Sequence, residues 1–397
     1  MNKATVRDIE VKDKKVLVRV DFNVPLDEKT GEITDDNRIR ATLPTIKYLI
    51  EQGAKIILMS HLGRPKGKVV EGLRLTVVAQ RLSQLLKQPV AMAPDCIGPE
   101  VENMVADLKS GEIMLLENLR FHAEEEAGDD SFAQDLARLG AVFVNDAFGA
   151  AHRAHASISG IAKYLPAVAG FLMKKEIENL GNILENPAHP FAALLGGVKI
   201  SDKISMLENI MGKVDALLIA GGMAATFLKA QSYEVGLSLI EDEMLDTVAR
   251  LMEKAKKSGI DIILPVDVMV ADEISAEAKI EVVPVRKILK DKRIVDMGPR
   301  TIGKFKQELR KCRTIFWNGP VGIFEISQFA KGTRELARLI ASLKATTVLG
   351  GGSTAEAVNE MGLADKMSFV STGGGASLEF LSGEKLPGVE ALLDKKS

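Results

Sequence analysis

The sequence predicts an α/β protein of two domains, each a mostly parallel sheet flanked by helices, with a single helix joining them. Three observations carry this. Apolar runs of strand length alternate with helix-length periodic segments throughout both halves. The chain, at 397 residues, is long for one domain. The two halves also finish their strands with different chemistry, arginines and histidines in the first and glycines in the second.

In the first half, strands are expected at Val16 to Val20, Lys55 to Met59, Val90 to Ala93, Ile113 to Leu116 and Ala141 to Val144. Helical periodicity fills the gaps around Ile39 to Ile50, Thr76 to Leu86, Glu100 to Leu108 and Phe132 to Leu139. Ile158 to Pro166 closes this unit, and the amphipathic segment Phe171 to Leu184 is long enough to connect two domains. No Gly/Ser-rich tether is present, so domain motion would be a hinge at element ends. The second half has strand-like runs at Phe191 to Leu195, Leu217 to Ala220, Ile262 to Leu264, Thr314 to Trp317, Thr347 to Leu349 and Phe369 to Ser371.

Ligands of open α/β sheets bind at the carboxyl ends of strands. In the first half those ends read Asp21-Phe22-Asn23, Ser60-His61-Leu62-Gly63-Arg64, Glu117-Asn118-Leu119-Arg120-Phe121-His122 and Ala151-His152-Arg153-Ala154-His155, with Arg38 at the start of the first helix. Any one of these arginines is most simply a solvated loop charge. Four at equivalent ends of one sheet favour a site for a small polyanion, because guanidinium binds carboxylate and phosphate through paired hydrogen bonds. His152-x-x-His155 lacks the partners of a zinc site. The run Glu124-Glu125-Glu126 is expected on a solvated face.

In the second half Leu195 leads into Gly196-Gly197-Val198-Lys199-Ile200-Ser201-Asp202-Lys203. Glycines admit a ligand close to the backbone, and a helix capped by Ser201 or Asp202 would offer unpaired N–H groups to an anion. Lys199 and Lys203 would then lie one helical turn apart. An ordinary turn with two solvated lysines explains this stretch equally well by itself. Glycines recur at Gly221-Gly222, Gly319, Gly350-Gly351-Gly352 and Gly373-Gly374-Gly375, which suggests a smooth backbone surface for a nucleotide. Gly350-x-Gly352-x-x-Ala355 fits the loose dinucleotide fingerprint and sets up a rival, an NAD-dependent dehydrogenase, although its late position counts against it.

Composition narrows the field. The chain is 46% apolar and 27% charged, as soluble globular proteins are. A net charge of −2 and 5% aromatics give no pull toward nucleic acid or acidic membranes. Cys96 and Cys312 fit no metal or redox spacing, the N-terminus lacks a signal-peptide core, and uncharged stretches such as Ala216 to Leu228 are too short to span a bilayer. The expectation is a cytoplasmic protein with reduced, mostly buried thiols. A polyanion pocket in one half and a glycine-lined surface with two lysines in the other suit phosphoryl transfer, which is catalysed by positioning and charge stabilisation. Arg38 and Lys199 are the candidates for that charge.

Together these motifs, with Phe316-Trp317-Asn318-Gly319-Pro320-Val321-Gly322, closely resemble the phosphoglycerate kinase family, in order from Val16 to Val389. The resemblance implies two Rossmann-like domains joined by a hinge helix, and a monomer. The phosphoglycerate-binding domain would be 1–170 with about 380–397 packing back on it, and the nucleotide-binding domain 171–379. It implies reversible transfer from 1,3-bisphosphoglycerate to Mg-ADP, giving 3-phosphoglycerate and ATP, in a closed cleft. Asp21, Asn23, Arg38, His61, Arg64, Arg120 and Arg153 would hold the phosphoglycerate. Lys203, Gly221, Gly222, Pro320, Glu325, Gly351, Gly352, Ser353 and Thr354 would hold the nucleotide. Arg38 and Lys199, with the Gly373, Gly374 and Gly375 turn, would stabilise the moving phosphoryl. One position departs from the family: Ser353 stands where an aspartate associated with the Mg²⁺–nucleotide complex is usual, so no carboxylate ligand for Mg²⁺ is assigned. Val198 stands where alanine is usual.

Overall fold

The computed structural model of the protein describes residues 2–395. Among these residues the first sheet contains β1 (Lys15–Arg19), β2 (Lys55–Met59), β3 (Ala91–Met92), β4 (Ile113–Leu115), β5 (Val142–Asn145) and β6 (Ala167–Ala169). Their order is β3-β4-β2-β1-β5-β6, and every neighbouring pair is parallel. Strands of such a sheet are covered on both faces, which is why they read as unbroken apolar runs. Val16, Leu17 and Val18 of β1 are completely buried, as are Ile56, Ile57 and Leu58 of β2. Ala167–Ala169 is the strand that periodicity missed, because three small residues carry almost no pattern.

The second half contains β7 (Phe191–Leu195), β8 (Ala216–Ile219), β9 (Asp261–Ile263), β10 (Asp267–Ala271), β11 (Ile280–Pro284), β12 (Arg293–Met297), β13 (Thr314–Asn318), β14 (Thr346–Gly350) and β15 (Phe369–Val370). Six of them form a second parallel sheet in the order β15-β14-β13-β7-β8-β9. The other three form an antiparallel sheet, β11-β10-β12, that the sequence reading did not anticipate. Four of the five residues of β11 are exposed, so that strand lacks the apolar run that betrays the others.

The chain divides into two compact units, one of residues up to Glu178 plus those from Lys385 onward, the other Asn179–Glu384. The C-terminal residues join the first unit through backbone bonds, from Ala4 N–H to Leu393 O at 2.8 Å and from Leu393 N–H to Ala167 O at 2.9 Å. The helix Phe171–Glu185 carries the chain from one unit into the next. Its first N–H groups, which have no intrahelical acceptor, find side chains instead. Phe171 N–H donates to Thr45 Oγ1 at 2.9 Å, and Leu172 and Met173 N–H donate to Asp146 Oδ1 at 2.9 and 3.1 Å. Burial pushes the Asp146 carboxyl up to about 7, against the pull of those donors. No described helix is long and apolar enough to cross a membrane.

Candidate active site

The first domain gathers its functional side chains where β1, β2, β4 and β5 end. Arg38 donates to Asp21 Oδ2, Asn23 Oδ1 accepts from Gly63 N–H at 2.8 Å, and Arg120 Nη1 donates to Gly63 O at 2.8 Å. Three successive strand-end loops are thereby tied together through one glycine. Asn118 reinforces the tie, donating from Nδ2 to Leu62 O at 2.8 Å and accepting at Oδ1 from Arg120 N–H at 3.1 Å. His61 lies buried among these groups. Burial, then the nearby guanidiniums of Arg19, Arg120, Arg153 and Arg38, hold its imidazole well below the ordinary range, so it is neutral. Burial likewise brings His155 down to about 4, with Arg120, Arg153 and Arg19 adding to the shift. Burial also lowers Arg120, whose Nε has no hydrogen-bond partner although Glu126 Oε1 lies 3.2 Å away. Arg64 stands apart, exposed at the edge of its loop. Arg153 is half-buried, with Nε 3.2 Å from His152 Nε2.

Below this ring runs a buried network that sequence reasoning missed. Arg19, 1% exposed, donates from Nε to Ser157 Oγ at 2.8 Å and places Nη2 3.2 Å from His61 Nδ1. Glu125 is completely buried and accepts from Ser157 N–H at 2.9 Å and Ser157 Oγ at 2.6 Å, with Arg19 Nη2 4.0 Å away. The expectation of a solvated Glu124-Glu125-Glu126 face is therefore wrong for its middle residue. A buried carboxylate requires partners, and Ser157 and Arg19 supply them. The available signal was Arg19 itself, a charge inside the apolar run of β1, since arginine is seldom fully buried unpaired.

In the second domain, the loop after β7 departs from the sequence expectation. The helix begins at Ile204, not after Ser201 or Asp202, so Lys199 and Lys203 do not share a helical turn. Ser201 cannot cap because it serves Glu241 instead. The Glu241 carboxylate accepts from Ile200 N–H at 2.5 Å, from Ser201 N–H at 3.2 Å and from the Ser201 hydroxyl. Lys199 is exposed. Lys203 is half-buried, and burial lowers its ammonium.

The glycines do two different jobs. A Cβ on Gly196 would lie 2.1 Å from Pro320 O, one on Gly221 2.7 Å from Gly197 N, and one on Gly319 2.4 Å from Gly196 O. These three therefore let the loops after β7, β8 and β13 pack backbone on backbone, rather than forming one smooth surface. Gly352, Gly374 and Gly375 instead face open space. Gly351, at φ +91°, turns the chain into the helix Gly352–Glu360. Within that turn Ser353 is exposed, whereas Thr354 is buried and its hydroxyl accepts from Gly319 N–H at 2.7 Å.

A cavity of about 1230 Å³ opens over these turns. Its walls include Lys203, Gly221, Gly222, Pro320, Glu325 and the Gly351–Thr354 turn, with apolar Leu237, Ile274 and Ile294 elsewhere. Lys199 and Gly373 do not line it, although Gly374 and Gly375 do. Two wall residues were not singled out from sequence. Asp296 is buried and accepts from Met297 and Gly332 N–H, both at 2.8 Å, and burial raises its carboxyl to about 6. Asn318 is buried with an unpartnered Nδ2 beside Gly350 and Gly351. An orphaned donor next to an open helix N-terminus suits an anionic group. The Gly351–Thr354 turn brings no carboxylate, so it fits nucleotide phosphates better than a bare metal ion.

The sequence model of the family described as phosphoglycerate kinase matches residues 6–384. The phosphoglycerate kinase of Moorella thermoacetica is 54% identical over 395 residues, covering 100% of both chains. That of Dictyoglomus turgidum is 55% identical over 391 residues, covering 98% of each. Among solved structures, phosphoglycerate kinase from Coxiella burnetii superposes with a TM-score of 0.88 at 42% identity, again over 98% of both chains.

Proposed function

The chain belongs to the phosphoglycerate kinase family, and on that premise we propose that its two domains divide the substrates between them. Enzymes of this family transfer a phosphoryl group to a carboxyl group in glycolysis, using ADP/ATP with Mg²⁺. The dehydrogenase alternative has no support from these relatives. In our reading the first domain takes 3-phosphoglycerate or 1,3-bisphosphoglycerate, and the cavity of the second takes ADP or ATP. The observation that carries this is the convergence of buried Arg19 and Arg120 with half-buried Arg38 and Arg153 around a neutral His61. Such a cluster has an excess of positive charge that a polyanion neutralises.

Asp21 positions Arg38, Asn23 positions the Gly63 loop, and Arg120 and Arg153 meet the carboxylate and phosphate of the substrate. Arg64, free of the network, closes over it from the loop edge. On the nucleotide side Lys203, Asn318 and the N–H groups of the Gly351–Ser353 turn meet phosphate oxygens, while Glu325 serves the ribose and Pro320 and Gly222 the base and sugar. Lys199, held out by the Glu241 clamp, and Arg38 stabilise charge on the phosphoryl in flight, assisted by the N–H groups at Gly374 and Gly375. This chemistry needs no side-chain nucleophile, because the attacking oxygen belongs to the substrate. Mg²⁺ bound with the nucleotide would neutralise charge on its phosphates, and with Ser353 in place of a carboxylate the Gly351–Thr354 turn would hold the ion through the nucleotide rather than through a carboxylate of its own. The protein acts as a cytoplasmic monomer. A coupled assay of ATP-dependent phosphorylation of 3-phosphoglycerate tests the reading: turnover with Mg²⁺ supports it, and nucleotide hydrolysis without acyl-phosphate formation refutes it.

A further inference from the structure

One cluster of ligand-type side chains is left unused by the reaction. In the first domain Asp95, Cys96 and His122 each present a donor atom, and the three atoms lie within 4.8 Å of one another. We propose that this triad is a binding site for a borderline-soft divalent ion such as Zn²⁺, distinct from the Mg²⁺ that accompanies the nucleotide.

The donor set favours that class of ion. Thiolate and imidazole select zinc and its neighbours, whereas Mg²⁺ prefers oxygen and water. Zinc bonds of about 2.0–2.3 Å put tetrahedral ligands roughly 3.3–3.7 Å apart, so an ion requires the His122–Asp95 pair to open slightly from 2.7 Å and the wider separations, at most 4.8 Å, to contract. The residues are already held for it. His122 Nε2 lies 2.7 Å from Asp95 Oδ1, and the imidazole packs against the Phe132 ring at 5.3 Å between centroids. Asp95 Oδ1 also accepts from Cys96 N–H at 2.7 Å, and Asp95 O accepts from Glu117 N–H at 3.3 Å. An ion seated here replaces the proton that His122 and Asp95 share, and it releases the thiol proton of Cys96 to solvent.

The local field is negative. The charges acting on Cys96 and His122 are the carboxylates of Asp95, Glu124 and Glu125. A cation relieves that accumulation and stabilises the thiolate, as metal coordination of cysteine does. The contrast with the other histidines of this domain is informative: His61, His152 and His155 all lie in the field of arginines, which repel a metal ion. Access is open from one side, since Cys96 is completely buried but the His122 and Asp95 side chains are 26% and 48% exposed. Three protein ligands leave a fourth position for water.

Titrating the chelator-treated, full-length protein with Co²⁺ tests the proposal by absorption. The expected result is one equivalent bound with a thiolate-to-cobalt charge-transfer band in the near ultraviolet, displaced by Zn²⁺ and not by excess Mg²⁺. Cys96→Ser should abolish the band, His122→Gln should weaken Co²⁺ binding at least about tenfold, and Cys312→Ser should change neither. Circular dichroism verifies that each variant is folded, and His122→Gln, a partly exposed position, serves if Cys96→Ser does not fold. No charge-transfer band at saturating Co²⁺, a band that survives Cys96→Ser, or unchanged affinity in His122→Gln would overturn the assignment.

Discussion

The proposed anion-binding charge of the first domain centres on two guanidiniums, Arg19 and Arg120, that folding has already stripped of water, whereas in the second it falls to backbone N–H groups and Lys203 around an open cavity, with Lys199 exposed outside it. Arg19 and Arg120 are 1% and 4% exposed, and they are kept in place by Glu125, Ser157 and Gly63. Lys199 is exposed on a loop whose next two residues, Ile200 and Ser201, are held by Glu241. The first arrangement gives a rigid, specific receptor at the cost of buried charge. The second leaves its charge free to meet a moving group. Rigid recognition and mobile stabilisation of charge are both needed for phosphoryl transfer, and here they are assigned to different domains.

Breaking the buried network should give the largest effect. Glu125→Ala strands Arg19 and is expected to cost roughly 3–5 kcal/mol in chemical denaturation, while Glu124→Ala, next to it and exposed, should change stability by less than about 0.5 kcal/mol. Equal effects would return the acidic run to a solvated face. On the other side of the comparison, Lys199→Ala should lower turnover by about 10²–10³ with a far smaller change in ADP affinity, as steady-state kinetics with binding titrations would show. Loss of affinity without loss of turnover would make Lys199 a ground-state contact.

Burial of His155, reinforced by the neighbouring arginines, also predicts a pH effect in the first domain. His155 titrates at about 4 in the folded chain, against 6.5 ordinarily. Above pH 6.5 it is neutral in both states and its contribution is fully present. As pH falls from 6.5 toward 4, the unfolded chain takes up a proton that the folded chain refuses, and stability is lost by up to about 3 kcal/mol. His155→Gln should flatten that part of the stability–pH curve. The smallest effect is expected at Ser353. Installing a carboxylate with Ser353→Asp should reduce the Mg²⁺ concentration for half-maximal activity by about tenfold or less, since one added oxygen ligand joins an ion already held by phosphates.

Much of this was readable in the sequence because it is local. Continuous apolar runs give the parallel strands, and the residue types after them lead to the candidate site proposed at the strand ends. What escaped detection depends on partners far apart in the chain. Ser157 completes Arg19 across 138 positions, and Glu241 reaches back 40 positions to Ser201. No period or spacing reports such pairings, so a buried glutamate looked solvated and a serine engaged by Glu241 looked like a helix cap. The glycines misled for a related reason: Gly196, Gly221 and Gly319 are required by one another's backbones, which is a property of the packed loops and not of any one of them.

The division of ligands between domains is tested most directly by equilibrium binding of 3-phosphoglycerate and of Mg-ADP, each measured alone on Arg64→Ala and on Lys203→Ala. Arg64→Ala should weaken 3-phosphoglycerate binding by about tenfold or more and leave Mg-ADP unchanged, and Lys203→Ala should do the reverse. If either variant weakened both ligands equally, or weakened the ligand assigned to the other domain, the account would be contradicted.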